Sequence, residues 1–171
     1  MKIKNLRELF EIELYYAYDC EQNLVKKGLP SMIEAATAPD LKTALEMHLE
    51  ETRGHIRRLE QVFTEAGLTP DSKSNDVLDK MMSAAKDSKS HIEASALRDA
   101  ALIINGNEVE HYEMALYGSL VAMAKEMGLQ GAVRLLESTL NEEKAADAKL
   151  TEIAETTVNP RAAQSTRAAG V

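Results

Sequence analysis

The chain has 171 residues, a formal net charge of −8 and only 4% aromatic residues, with no Trp. This length fits one domain with a single sizeable core, and the scarcity of aromatic residues favours helices over strands. An acidic chain argues against nucleic acid as a partner, because phosphates select basic surfaces. No apolar run approaches the roughly 20 residues that span a bilayer, so a membrane is not expected as a partner either.

The number of cysteines and the first residues of the chain indicate the cellular compartment. Cys20 is the single cysteine of the chain, so it cannot form an internal disulfide. The first residues, Met1 to Asn5, show no signal-peptide pattern. Because disulfides belong mainly to oxidising compartments, these two features together predict a cytoplasmic protein.

Apolar residues at helical spacing predict two long helices in the first part of the chain. The first helix runs from about residue 5 to 27. It is expected to break at Gly28-Leu29-Pro30, with a short helix through Met32 and Ile33 after the break. The second helix runs from Pro39, which suits a first helical turn, to about Ala66.

A polar connection, from about residue 69 to 90, follows the second helix, and we expect a short helix near 77–85 within it. The third helix is predicted at about 92–127 and the fourth at about 130–157. A long connection between helices two and three is typical of ferritin-like bundles. The predicted fold is therefore all-α: a ferritin-like up-down four-helix bundle over residues 1–158, with a long crossover, short extra helices and a flexible tail at 159–171.

Acidic residues fall on the predicted inward faces of all four helices. Two glutamates of the first half recur 92 positions later, and so does the position of a histidine. Glu21 corresponds to Glu113, Glu51 to Glu143, and His55 to Asp147. This constant offset predicts two antiparallel helix pairs that meet at one depth, related by a pseudo-two-fold axis.

Carboxylates at one buried level require compensation, because an isolated buried charge costs several kcal/mol. The predicted faces carry no Lys or Arg at this level, and carboxylates with an imidazole suit iron or manganese. We therefore predict two metal ions, with iron favoured over manganese. Glu51 and Glu143 are the expected bridging ligands. The other candidate ligands are Glu21, Glu110, Glu113, His55 and Asp147.

Alternatives to this metal site remain open on the sequence. The acidic residues can form a buried polar network, or the helix faces can be assigned wrongly. His55 can be a structural histidine rather than a ligand. His48, one turn before Glu51, can be a ligand or a hydrogen-bonding neighbour of one.

Several stretches resemble the YciF-like branch of the ferritin-like superfamily, over almost the full length. They are Tyr18-Asp19-Cys20-Glu21-Gln22-Asn23-Leu24, His48-Leu49-Glu50-Glu51-Thr52, Arg98-Asp99-Ala100-Ala101-Leu102, Glu108-Val109-Glu110-His111-Tyr112-Glu113 and Glu142-Glu143-Lys144. The resemblance implies a ferritin-like bundle, a di-iron or di-manganese centre, a homodimer and expression linked to stress. The chain departs from the superfamily's usual Glu-x-x-His spacing, which would place histidine at Gly54.

Three functions follow from this reading. The paired Glu110 and Glu113 resemble those of rubrerythrins, which favours a redox protein that reacts with peroxide or oxygen. The chain lacks the Cys-rich module that supplies rubrerythrins with electrons, and this favours a structural or binding protein in which metal only stabilises the bundle. Iron storage in a cage ranks third. The sequence indicates neither the substrate nor the electron donor.

Overall fold

The computed structural model describes residues 2–92 and 95–168, and every regular element within these ranges is helical. The predicted all-α fold is confirmed. In chain order the helices are α1 (Leu6–Asn23), α2 (Leu29–Ala35), α3 (Pro39–Glu65), α4 (Asp76–His91), α5 (Ser95–Glu126), α6 (Gln130–Ile153) and α7 (Asn159–Ala168). Two π-helical turns, Leu24–Gly28 and Ala154–Val158, join α1 to α2 and α6 to α7.

Four long helices, α1, α3, α5 and α6, form the bundle. Helix α1 packs against α3 and α5, and α6 packs against the same two helices. The order around the bundle is therefore α1, α3, α6, α5. Helix α4 lies against α5 and belongs to the long crossover between α3 and α5, as a ferritin-like bundle requires.

Two apolar cores fill the bundle, one towards each end. The first contains Phe10 of α1 and Phe63 of α3, from the beginning of one helix and the end of the other. The second contains Leu24, just after α1, and Leu41, at the beginning of α3. Helices α1 and α3 therefore run antiparallel. Each buried large apolar side chain contributes about 1.5–3 kcal/mol, so both ends of the bundle are held independently of what lies between them.

Side-chain contacts fix the beginnings of α1 and α3. Asn5 Oδ1 accepts from the Glu8 amide at 2.9 Å, and the Glu8 carboxylate accepts from the Lys4 amide at 2.8 Å, which together cap α1. Helix α3 has no side-chain cap of its own. Asp99 of α5, which is buried, accepts instead from the amides of Thr37 and Ala38, both at 2.8 Å. It thereby ties the α2–α3 connection to α5.

The helix break predicted at Gly28-Leu29-Pro30 is wrong, although the short helix predicted through Met32 and Ile33 is present as α2, and a helix also continues where the flexible tail was expected to begin. At Gly28-Leu29-Pro30 and again at Asn159-Pro160 the helix continues through a π-helical turn. Leu29 N donates to Leu24 O, and Asn159 N donates to Ala154 O, five residues back instead of four. A proline removes one donor and crowds the preceding turn, and the wider π turn accommodates this without ending the helix.

The remaining predicted boundaries are confirmed or extended. Helices α3 and α5 match the predicted second and third helices, although residues 93–94 at the start of the third lie outside the described part of the chain. The crossover helix α4 is longer than the expected 77–85. The segment expected to be a flexible tail from 159 is helical as α7 and packs against α5. Residues 169–171 of that tail lie outside the described residues.

Candidate metal centre

A polar layer lies between the two apolar cores. Acidic, histidine and hydroxyl side chains from all four bundle helices meet there. None has more than 7% of its surface exposed: Glu21, His48, Thr52, His55, Glu110, Glu113, Thr139 and Glu143. Charged groups withdrawn from water in this way are costly unless an opposite charge compensates them.

The first of two potential metal-binding groups, called here the His55 group, consists of Glu21, His55 and Glu143. His55 Nδ1 lies 2.9 Å from Glu143 Oε1 and 3.3 Å from Glu21 Oε1. Nδ1 nevertheless makes no hydrogen bond of acceptable geometry. Three helices thus each direct one potential ligand atom to a common point, with all three atoms within 4.8 Å of one another.

The ring of His55 is oriented by Glu142 and Arg58. His55 Nε2 lies 2.9 Å from Glu142 Oε2, and the Arg58 guanidinium donates to both oxygens of Glu142, at 2.7 and 2.6 Å. Burial would raise the pKa of the Glu142 carboxyl, but the hydrogen bonds from Arg58 and His55 lower it below its usual value. An anionic Glu142 therefore accepts from Nε2, and Nδ1 is the nitrogen left for a metal.

The second group, called the His48 group, consists of His48, Glu110 and Glu143. His48 Nε2 lies 3.3 Å from Glu110 Oε1 and 3.8 Å from Glu143 Oε2. His48 Nδ1 lies 3.3 Å from Glu51 Oε2. Glu143 thus offers Oε1 to the His55 group and Oε2 to the His48 group, which is the arrangement of a carboxylate that can bridge two ions.

Two neutral donors border these groups. Cys20 Sγ donates to Glu113 Oε1 at 3.5 Å, and the Tyr117 hydroxyl donates to Glu21 Oε1. Burial and the neighbouring carboxylates raise the pKa of the Cys20 thiol and of the Tyr117 hydroxyl well above their usual values, so both keep their protons. Each holds one carboxylate oxygen, while Glu21 Oε2 and Glu113 Oε2 have no hydrogen-bond partner.

The carboxyl groups of the layer repel one another. Burial raises the pKa of Glu143 to about 7, and the contact with His55 offsets this only in part. Burial, followed by the charges of Glu143, Glu21 and Glu110, raises the pKa of Glu113 well above its usual value. Retaining protons is how carboxyls relieve repulsion when no cation is available.

The two histidines respond in the opposite way to their surroundings. Burial lowers the pKa of His55, but the contacts with Glu143 and Glu21 outweigh it and raise the pKa to about 10. For His48, too, burial lowers the pKa, and the contacts with Glu110 and Glu51 raise it well above its usual value. The carboxylates therefore favour positive charge at the positions that the two rings occupy.

The atoms left without hydrogen-bond partners test whether the layer fits a metal. Carboxylate oxygens and one imidazole nitrogen are buried without a partner: Glu21 Oε2, His55 Nδ1, Glu110 Oε2, Glu113 Oε2 and both oxygens of Glu143. Carboxylate oxygens and imidazole nitrogens are ligand atoms that hard and borderline divalent cations bind. The residues therefore fit a metal ion in each group.

Five of the seven predicted ligands lie in or beside this layer. Glu21, His55, Glu110 and Glu143 belong to the two groups. Glu113 is buried beside them and bonded to Cys20.

Glu51, one of the two expected bridging ligands, does not turn inward. Its side chain is 44% exposed and contacts the layer only through His48. On α3 the buried stripe runs through His48, Thr52 and His55. At about 100° per residue, Glu51 lies roughly 75° from the middle of this stripe, at its edge. Thr52 takes the inward position instead.

Asp147, expected to match His55, lies outside both groups. Its side chain is 23% exposed, and its Oδ1 lies 3.2 Å from His111 Nε2, which is 67% exposed. The 92-residue offset therefore relates Glu21 to Glu113, which are both buried in the layer. It does not bring Asp147 into either group with Glu143.

His48 is the ligand candidate that the sequence left open. Its signal was its spacing: it lies seven residues before His55, two helical turns along the same face. Glu51, which lies between them in sequence, is the ligand that the sequence predicted, but it lies at the edge of the buried face of the helix.

Within residues 2–92 and 95–168, no helix has the length and apolar character to cross a membrane.

Comparison of the sequence with known proteins identifies relatives over most of its length. The family model described as a domain of unknown function, DUF892, matches residues 5–163. Protein YciF of Escherichia coli strain K12 is 36% identical over 163 residues, which are 95% of this chain and 98% of that protein.

Solved structures share the same bundle. The structure described as the E. coli stress protein YciF gives a TM-score of 0.87 at 35% identity, covering 92% of this chain and 99% of that one. YcfI of Rhodopseudomonas palustris, a candidate structural protein, gives 0.85 at 41% identity, covering 88% and 95%. A protein of Xanthomonas campestris at 21% identity, with a TM-score of 0.71, shares the fold.

Proposed function

Because the chain belongs to the DUF892 family and is YciF-like, we propose that it is a two-metal carboxylate protein that reacts with peroxide or oxygen under stress. It takes iron in preference to manganese. The observation that carries the proposal is Glu143, whose two buried oxygens face two different histidines and have no hydrogen-bond partner.

The residues of the two groups would have different roles in binding the two ions. Glu143 would be shared by the two groups, Glu21 and His55 would hold one ion, Glu110 and His48 would hold the other, and Glu113 would supply a further carboxylate. When bound, iron supplies electron-transfer chemistry towards oxygen and its reduced forms. The apolar cores bury the His55 group, in which Glu21, His55 and Glu143 are at most 1% exposed, and this burial strengthens the charge interactions within that group.

Other residues hold the ligands in place. The Arg58–Glu142 ion pair fixes the ring of His55. Tyr117 and Cys20 fix one oxygen each of Glu21 and Glu113. With Cys20 as its single cysteine, these 171 residues do not form a four-cysteine iron site.

Metal analysis of protein purified without chelators tests the first half of the proposal. We expect about two ions per chain, mostly iron. Peroxide added anaerobically to the ferrous protein, followed optically, tests the second half. Oxidation faster than that of free ferrous iron supports the proposal, and a zinc-loaded sample is the control. Oxidation no faster than that of free iron would rule out the redox function.

A structural role of the metal is the second candidate, favoured by the repulsion among the buried carboxyls. Bound cations would remove this repulsion and stabilise the bundle without any reaction. In that case chelation lowers the melting temperature, while the ferrous protein shows no accelerated reaction with peroxide.

A homodimer is part of the proposal, as the family resemblance implies. Leu97 and Ile104, one heptad apart on α5, are 51% and 60% exposed, and exposed apolar pairs of this kind suit an interface between helices. Sedimentation at micromolar concentration should give twice the chain mass, and a monomer there contradicts this part.

A further inference from the structure

A cavity of about 440 Å³ lies between α2, α3, α5 and α6, beside the His48 group. Its volume falls within the range of small-molecule sites, roughly 300–1,000 Å³. It corresponds to about 15 water molecules at roughly 30 Å³ each, enough for a short aliphatic chain. The exposed residues among its lining mark its mouth: Asp40, Thr43, Met47, Glu51, Ala145 and Lys149.

The cavity reaches only one side of the polar layer. His48 and Glu110 are buried and form its inner polar wall, while Glu51, which also lines it, is exposed. Glu21 and His55 do not line it. A molecule that enters the cavity therefore meets the His48 group and not the His55 group.

The remaining inner wall is apolar. Leu29, Leu45 and Leu150 are buried there, and the half-buried Met32 and Val109 complete it. Such a wall favours a hydrocarbon chain and disfavours a charged group, which would lose its hydration.

The polar end of the cavity selects the head group of the ligand. Carboxylate oxygens of Glu51 and Glu110 face it, and Glu110 Oε2 is a buried acceptor without a hydrogen-bond partner. Within the described part of the chain, the one Lys or Arg of the lining is Lys149, which is exposed and pairs with Glu152 at the surface. His48 also lines the cavity, but it is already in contact with Glu51 and Glu110. An uncharged hydrogen-bond donor therefore suits the remaining acceptor.

We propose that this cavity binds a small uncharged aliphatic molecule whose hydroxyl end reaches Glu110 and His48. Binding rests on the cavity alone. The role of the cavity in presenting that molecule to one side of the metal centre rests on the proposed function. The ligand class is thus a short aliphatic alcohol, and 1-hexanol is the probe.

Two methionines report on binding at this site. Met32 and Met47 line the cavity, whereas Met123 and Met127 border the core at the other end of the bundle. In protein labelled with ¹³C at its methionine methyl groups, 1-hexanol should shift the Met32 and Met47 signals saturably and leave those of Met123 and Met127 unchanged. Met32→Leu and Met47→Leu assign the two signals. Absence of a saturable shift at Met32 overturns the proposal.

Filling the cavity should abolish binding. Ala146 and Ala44 line the cavity and are half-buried, whereas Ala148 is exposed on the same helix as Ala146 and does not line it. Ala146→Leu and Ala44→Leu should each weaken 1-hexanol at least about tenfold, while the matched control Ala148→Leu binds it like the wild type. Melting curves confirm that each variant is folded. Binding unchanged in both folded cavity variants overturns the proposal.

Ligands of the same chain length separate the head groups. In metal-free protein, hexanoate should bind at least about tenfold more weakly than 1-hexanol, because Glu51 and Glu110 line the polar end of the cavity. Equal or tighter binding of hexanoate or hexylammonium overturns the uncharged class. The metal content of each sample separates the two proposals. Full metal loading without 1-hexanol binding overturns the cavity proposal alone, and 1-hexanol binding in protein that takes up no metal overturns the proposed function alone.

Discussion

The His55 group and the His48 group use the same kinds of donor and share Glu143, but their surroundings differ. The ring of His55 is held by the Arg58–Glu142 ion pair and has no exposed surface. His48 contacts the exposed Glu51 and lines a cavity that opens to the surface. The two groups therefore differ in access: the His55 group is enclosed, whereas the His48 group borders a cavity.

The 92-residue correspondence in the sequence does not determine which residues form the two groups. The offset of 92 residues pairs helices of matched depth, yet the two histidines both come from α3. A single helix thus supplies the potential nitrogen ligands of both groups, two turns apart, while α1, α5 and α6 supply carboxylates. The following predictions test how far the two groups are distinct.

The largest effect is expected for Glu143→Ala, because Glu143 is the one residue common to both groups. Metal stoichiometry should fall from about two ions per chain to near zero. Glu137→Ala is the control on α6: its carboxylate is 44% exposed and pairs with Lys125. Normal metal loading of Glu143→Ala would refute the shared bridge.

Separate loss of one ion is expected for each histidine. His55→Ala should lose the ion of the His55 group and His48→Ala the ion of the His48 group, so that each variant retains about one ion per chain. His111→Ala, at an exposed position outside both groups, should keep both. If either histidine variant lost both ions, the two groups would act as one indivisible site.

A smaller and one-sided effect is expected for Glu142→Gln. The variant removes the anionic acceptor of His55 Nε2 and the partner of Arg58. Loss of such an outer contact typically costs about 10–100-fold in metal affinity, and we expect this at one of two ions in a competition titration. Glu137→Gln serves as the control. Equal weakening of both ions would contradict an effect confined to the His55 group.

The metal-free protein should lose stability as the pH rises. The folded pKa of Glu143, about 7, lies above its ordinary value of 4.5, so its protonated form favours folding below pH 4.5 and this contribution is lost as the pH rises through 7. The pKa of His55, raised to about 10 from 6.5, acts with the same sign at higher pH.

Glu143→Gln isolates the first of these titrations, because glutamine mimics the protonated acid. The melting temperatures of the metal-free variant and wild type should be close at pH 5. The variant should then exceed the wild type by several degrees, on the order of 5 °C, at pH 8. A difference that does not grow between pH 5 and pH 8 would show that Glu143 does not titrate in this range.

The smallest effect is expected for Glu51→Ala. Glu51 is 44% exposed and touches the layer only through His48, at 3.3 Å. Both ions should therefore be retained, with the affinity at the His48 group changed by less than about tenfold. Loss of both ions would instead support the bridging role that the sequence suggested for Glu51.

The sequence predicted the helices well where apolar periodicity was uninterrupted. Helix α3 follows Pro39 as expected, and the inward stripe of α5, including Gly106, Glu110 and Glu113, is buried as predicted. It failed where a proline was taken as the end of a helix. A π turn absorbs the missing donor at Pro30 and at Pro160, and local sequence rules do not distinguish a π turn from a break.

The sequence by itself determined the bundle, its crossover and the presence of buried acid, because these depend on the period and spacing of apolar and acidic residues along each helix. Only the tertiary structure decided which acids meet. A shift of one residue rotates a side chain by about 100° around a helix, so small errors of phase move Glu51 to the edge and bring His48 inward. The packing of α3 against α1 and α6 fixes that phase.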